Sequence, residues 1–513
     1  LIDVGNWSFK HKLEPARVIL ESYQRPGADL AKSLHQRKKT TETGSRHLKA
    51  QLALAGLSSA MFDSVSARVR SLEWLKAGRS LVEREGEHKQ CLRMINEAKQ
   101  KSAKAKSHKV GNQRFLDENH ELLAYSRGLK VEIDLARGER TKTEKSLRDF
   151  LCLAVKSYAS ALSTAGVGQG DDMSRHVFRV IFLWLSHCGE GREDTEVNSI
   201  IHQALQSIPS FRFVPLTSQL FAQIDRKDDS AFQNTLQTLL EKLCSEHPYH
   251  CLVQLITMCN GREVGSGVGG RSADAFLENI SDSKVVAASD IALKLERDAP
   301  TYVGGLVGSY RTLMSAYIKL ANAPTADLVQ KGQLKDISLS RASKSERLDR
   351  CLARLEFPPC VLTRPPPVRS GCDYGEGLDD PIGAERVKGF DGTFSITESG
   401  IHRPKIVICQ GSRGGRFRQL VKGEDEIRQD AVMEQVFTYV NELMSRQAAG
   451  SSSARTSVSA SDLRMVTYNI IPTSPASGVS SSSVCGFHMI VELTIASFSC
   501  DYRHLSVKGS RVG

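Results

Sequence analysis

The sequence predicts a mainly α protein: a solenoid of helical hairpins, followed by a small α+β unit with an antiparallel sheet and one long helix. Three observations carry this. Apolar residues recur at spacings of three and four to about residue 325. A Pro-rich stretch, FPPCVLTRPPPVRSG, interrupts the pattern after Leu355. Beyond it lie short runs of β-branched and aromatic residues separated by Gly-containing turns. At 513 residues and 56.4 kDa the chain can bury several cores, and ordinary domain sizes predict about two to four units. Hydrophobic residues make up 40% and charged residues 25%, proportions that exclude a mostly disordered chain.

In the helical part, Val197, Ile200, Ile201, Ala204, Leu205 and Ile208 share one face of a helix closed by Pro209. Ser230 is the expected N-cap of a helix whose Phe232, Leu236, Leu239, Leu240 and Leu243 form the buried stripe. Breakers such as SIPSF, SEHPY and NGREVGSGVGG separate these segments, so the region reads as many helices joined by short turns. The predicted division is a solenoid over 1–340, a Pro-rich linker over 341–370, the sheet unit over 371–479 and a divergent, disordered tail over 480–513.

In the sheet unit, TFSIT, PKIVICQG and RFRQLVKG are the predicted strands. A helix follows from Glu424 to about Arg446, with Val432, Val436, Val440 and Leu443 as its apolar stripe, widened by Met433 and Phe437. The Ser-rich GSSSARTSVSAS predicts a flexible loop before a last strand, LRMVTYNIIP.

Composition narrows the function classes. The net charge of +11 gathers in part in KQKSAKAKSHK, between Lys99 and Lys109. That run can attract phosphate-rich partners, but without interleaved aromatics it reads better as a solvated helix face, and no sequence-specific DNA binding is expected. The apolar runs VFRVIFLWL and CGFHMIVELTIASF fall short of the roughly 20 residues of a membrane span, and each carries a charge, so no membrane segment is predicted. Twelve irregularly placed cysteines fit reduced thiols inside the cell. The opening at Leu1, without a signal-like apolar stretch, reads as a piece of a longer chain.

Several motifs carry chemistry. VGSGVGG has glycines but no preceding strand, so a flexible loop is the better reading. Cys244, His247, His250 and Cys251 have ligand chemistry at close spacing, yet zinc usually needs two separated pairs, and helix packing accounts for them; no metal site is predicted. In QLVKGEDEIRQDAVMEQVF, Lys422 stands between strands and a helix that opens with Asp425, Glu426 and Asp430. An ammonium held by carboxylates can be aimed at nucleotide phosphates. The alternative is a surface lysine beside acids that complement a helix macrodipole, and spacing alone favours that alternative.

That same stretch resembles the lysine strand and following helix of the phosphatidylinositol 3-kinase-related protein kinases, and RQDAVMEQVF is most similar to the ATM branch. Upstream, GIHRPKIVICQGSRGGRFRQLVKG resembles the family's phosphate-loop hairpin, and downstream VTYNIIPTSPASGV resembles the strand leading to the hinge. AVKSYASAL, IPSFRFVPLTSQL and HPYHCLVQLITMCNG resemble the helical FAT region that precedes the kinase. The resemblance covers most of residues 1–479, thinly before about 145. It implies a FAT solenoid and a kinase N-lobe. It further implies that Lys422 contacts the phosphates, that Asp425 and Asp430 orient it, and that Tyr468 lines the adenine side. The turn from Glu398 to Lys405, with Ser399, Gly400 and Lys405, would form the phosphate-covering loop. Arg413 stands where the family usually has an acid.

The implied enzyme is a nuclear serine/threonine protein kinase that uses ATP and Mg2+ to phosphorylate Ser or Thr followed by Gln, in signalling from DNA breaks. Its implied partners are protein substrates, DNA-damage sensor proteins and a second copy bound through the solenoid. No catalytic residue of the family is recognisable: the catalytic Asp, its Asn and the metal-binding Asp have no counterpart, and DYRHL at Asp501 follows Val479 too closely. The chain alone is therefore expected to be a fragment without phosphotransfer. The alternative is a non-catalytic solenoid scaffold that binds a partner. A lipid kinase fits less well, because FAT-like segments accompany the protein-kinase branch.

Overall fold

The computed structural model describes residues 1–103, 119–165, 170–188, 195–226, 230–262, 282–351, 368, 387–397, 403–423, 427–450, 465 and 467–481. Its packing separates two units, Leu1–Pro209 and Ser210–Gly513.

The first unit is helical. It comprises α1 (Ile2–Lys10), α2 (Ala16–Ile19), a π-helical turn over Leu20–Gln24, α3 (Arg25–Lys38), α4 (Thr41–Arg70), α5 (Leu72–Ala103), α6 (His120–Thr164), α7 (Gly170–Cys188) and α8 (Thr195–Ala204). Local chemistry sets the boundaries. Lys39 ends α3 in the left-handed region at φ 45°, and Thr40 caps α4 through a reciprocal pair with Thr43. Ser71 Oγ accepts from the Trp74 amide and so opens α5.

The longest helices, α4, α5 and α6, run for 30, 32 and 45 residues. Around them Leu54, Phe62, Leu151, Val155, Leu162, Val180 and Trp184 are buried. The Trp184 indole N–H donates to Asn198 Oδ1 at 3.0 Å. The stripe predicted to end at Pro209 is buried at Val197, Ile200, Ile201, Leu205 and Ile208, although regular helix stops at Ala204.

The second unit sets helices against a sheet. A 3-10 turn (Ser210–Leu216) leads to α9 (Thr217–Phe221), α10 (Ala231–Glu246), α11 (Pro248–Cys259), α12 (Asp282–Asp298), α13 (Thr301–Ala321) and α14 (Ala326–Gln330). Then come β1 (Ile337–Ser338), α15 (Leu348–Cys351), β2 (Val387–Phe390), β3 (Thr393–Ile396), β4 (Lys405–Gly411), β5 (Arg416–Gly423), α16 (Ile427–Gly450), β6 (Ile470–Ser474) and β7 (Ser477–Ser481). Ser230 caps α10 through the Gln233 amide, and the predicted Phe232 to Leu243 stripe is buried.

All strands pair antiparallel in the order β1-β3-β4-β5-β7-β6, and β2 shares with β3 the side of β4 away from β5. Alternation along β5 gives the sheet two chemically different faces. Gln419 and Gly423 face α13: Tyr317 donates its hydroxyl to Gln419 Oε1, and the Ala321 carbonyl abuts Gly423. Lys422 faces α16. On the far side of β7, α11 holds β6, with Thr257 Oγ1 and Asn260 Nδ2 donating to the carbonyls of Pro472 and Thr473.

The apolar stripe of α16 lies open, with Val432, Met433, Val436 and Leu443 45 to 61% exposed. Three sequence readings change. The start of the 341–370 linker is folded, with Leu348 and Cys351 buried in α15 against α13. The last predicted strand begins only at Ile470 and turns through Pro475 and Ala476 into a second strand. That strand, β7, reaches Ser481, two residues past the boundary at Val479.

Candidate functional site

The site is built on β5 and α16. Lys422 pairs in register with Gly478 of β7. A Cβ at Gly478 would lie 2.5 Å from Ile427 Cγ2 and 2.8 Å from the Ile471 carbonyl oxygen, so only glycine admits Ile427 there. Ile427, 1% exposed, seats the first turn of α16 on the sheet. One turn later Asp430 comes within reach: Lys422 Nζ lies 3.1 Å from its Oδ2, with side-chain exposures of 22% and 43%. A strand lysine paired to an acid on the next helix matches the lysine arrangement of protein kinases.

Glu434 follows one turn after Asp430, on the same helix face. Its Oε2 accepts the Tyr468 amide N–H at 3.1 Å, which fixes the segment entering β6. Burial pushes the Glu434 carboxyl above its ordinary value, the Tyr468 amide pulls it down and the Asp430 charge pushes it up again. Burial, then the Glu434 and Asp430 carboxylates, push the half-buried Tyr468 phenol upward. Lys422, Asp430, Glu434 and Tyr468 thus form one cluster. Glu434 was missed from sequence, although its i,i+4 spacing from Asp430 was readable.

The remaining predicted residues fall elsewhere. Ser399, Gly400 and Asp425 lie outside the described residues, as do VGSGVGG, DYRHL and most of the basic run beyond residue 103. The hairpin that would carry the phosphate-covering turn is formed, with Ile396 opposite Lys405 and the Thr397 amide donating to the Pro404 carbonyl at 3.0 Å.

Lys405 itself is displaced from the predicted role. It stands opposite Val421 in the ladder, hence on the face opposite Lys422, and at 5% exposure its ammonium donates to the Ala321 carbonyl at 2.6 Å.

The Cys/His group belongs to helix packing. Cys244 and Cys251 are fully buried, and burial raises both thiols, Cys251 to about 12. Burial lowers His247 to about 4, and its Nε2 shares a 2.9 Å hydrogen bond with Ser210 Oγ. Among the described residues no three His, Cys, Asp or Glu side chains converge to hold a metal. A cavity of about 410 Å³ between α4, α5 and α6, lined by Trp74, Arg68 and Arg140, involves none of the cluster residues. Among the described residues no helix is long and apolar enough to cross a membrane.

Helices followed by an antiparallel sheet with a lysine-to-helix acid pair are the fold class of a helical solenoid with a kinase-type N-lobe. The relatives agree. The chain is 27% identical over 481 residues to the serine/threonine-protein kinase ATM of Arabidopsis thaliana, matching 93% of this chain. It is 27% identical over 486 residues to the serine-protein kinase ATM of Sus scrofa, again 93% of this chain. It spans only 11% and 14% of those relatives' lengths. The tel1 kinase of Neurospora crassa is 28% identical over 68% of the chain, which spans 10% of that relative.

Among solved structures, one described as "FAT and kinase domain of CtTel1" superposes with a TM-score of 0.66 at 19% identity, covering 94% of this chain and 28% of that one. Another, "Complete CtTel1 dimer with C2 symmetry", gives 0.65 at 19% identity, covering 94% of this chain and 15% of that one. No protein-family model matches. The chain is therefore similar in sequence to ATM and Tel1 kinases, and its fold is that of part of a Tel1 FAT and kinase region.

Proposed function

We propose that this chain supplies the FAT region and the nucleotide-gripping N-lobe of an ATM-like serine/threonine protein kinase. The Lys422–Asp430 ion pair on β5 and α16 carries the reading. Asp430 holds the ammonium on the face of the sheet away from α13, where it can meet the phosphates of ATP. Tyr468 would flank the adenine, and the turn after β3, with Ser399 and Gly400, would cover the phosphates. In the whole protein ATP would supply the γ-phosphoryl group for transfer to a Ser or Thr hydroxyl of a protein substrate; this chain alone, without a recognisable catalytic Asp, is expected not to transfer it. This cluster fits the nucleotide better than its magnesium: Asp430 is engaged by Lys422, and no acidic metal group forms among the described residues.

From the ATM and Tel1 likeness we take the whole protein to act in the nucleus in DNA-damage signalling, with sensor proteins as partners and a two-fold dimer as its assembly. An ATP probe that acylates lysines beside bound phosphates tests the site. Lys422 is expected to be labelled and protected by excess ATP, while Lys405 stays unlabelled. Labelling of Lys422 that ATP does not suppress would contradict the reading.

A further inference from the structure

We propose that Lys405 is a positioning residue that ties the end of α13 to the strand bearing Lys422, making the last long solenoid helix a backstop for the candidate site. The inference rests on the nucleotide reading only for its consequence; the mechanical link stands on separate geometry.

The C-terminal end of α13 leaves carbonyls without helical partners and carries the negative end of the macrodipole. The buried Lys405 ammonium donates to one of them, the Ala321 carbonyl, at 2.6 Å. That same oxygen sits 2.5 Å from where a Cβ of Gly423 would be, so the helix end rests directly on β5 one residue after Lys422. One turn back in α13, the buried Tyr317 hydroxyl donates to Gln419 Oε1, and its ring meets Phe390 edge-on at 5.9 Å. Because Lys405 and Val421 are cross-strand partners, the ammonium anchors β4 and β5 at the rung beside Lys422. A shift of α13 is thereby transmitted to β5, whose opposite face presents Lys422 to Asp430.

The tests are competitive acylation of Lys422 and amide exchange at Asn322 and Ala323, whose N–H groups close the last turn of α13. Both use the full chain without nucleotide. In Lys405→Met, Lys422 labelling is expected to rise several-fold and both amides to exchange at least tenfold faster. Lys405→Arg, which keeps a donor, is expected to restore most of both signals. Gly423→Ala, which pushes from the helix side, is expected to raise Lys422 labelling with Lys405 intact. Unchanged labelling and exchange in Lys405→Met would overturn the proposal, as would faster exchange without any change at Lys422. If instead Lys422→Met binds ATP like the parent chain while these effects persist, the nucleotide reading fails and the link stands.

Discussion

Gly478 stands directly opposite Lys422 in the β5–β7 ladder, and the space its side chain would take is filled by Ile427. A missing side chain on one strand thus lets a helix approach close enough to pair its acid with the lysine on the next. Gly478→Ala is expected to lift the first turn of α16. Overpacking of this kind costs about 1–3 kcal/mol, and the Lys422–Asp430 contact should loosen with it. Thermal unfolding together with Lys422 acylation rates would register both effects.

Asp430→Asn keeps size and removes charge. The pair is half-exposed, so its stability contribution is small, about 0–1 kcal/mol. Its effect belongs in nucleotide affinity, where losing the orienting carboxylate is expected to weaken binding several-fold. Unfolding and ATP titrations on the same preparation separate the two.

His247 gives a pH signature. Burial lowers it from 6.5 to about 4, so the unfolded chain binds more protons between those values and the second unit loses stability as pH falls through that window. His247→Gln, which can still bond Ser210, is expected to flatten the dependence, read as unfolding midpoint against pH. Glu434 acts in the opposite sense. Its raised carboxyl favours the protonated folded form, so its contribution weakens as pH rises above the ordinary carboxyl value, and Glu434→Gln should abolish that slope.

In the first unit, Asn198→Ala would leave the buried Trp184 N–H without the acceptor it uses at 3.0 Å. An unsatisfied buried donor costs about 1–3 kcal/mol. Denaturant titration should show a lower midpoint without loss of ATP binding.

The fold was legible where periodicity meets a clear terminator. The Ser230 cap, the Phe232 to Leu243 stripe and the hairpin ending at Lys422 all followed from spacing and turn residues. The α16 stripe was legible as a face but not as an exposed one, because a repeat of three and four reports amphipathicity and not what covers it. Lys405 was misplaced for a related reason. Strand alternation puts Lys405 and Lys422 on opposite sides, but only the register of Lys405 with Val421 reveals it. The role of Gly478 depended on Ile427, 51 residues earlier in the chain, a contact no local pattern encodes.

Equilibrium binding of a fluorescent ATP analogue to the 513-residue chain and its Lys422→Met variant tests the central claim most directly. Saturable binding that ATP competes away, weakened at least tenfold by the substitution (about 1.4 kcal/mol) with an unchanged unfolding midpoint, is the predicted result. Equal affinity of the two proteins would contradict the assignment of Lys422 to the phosphates.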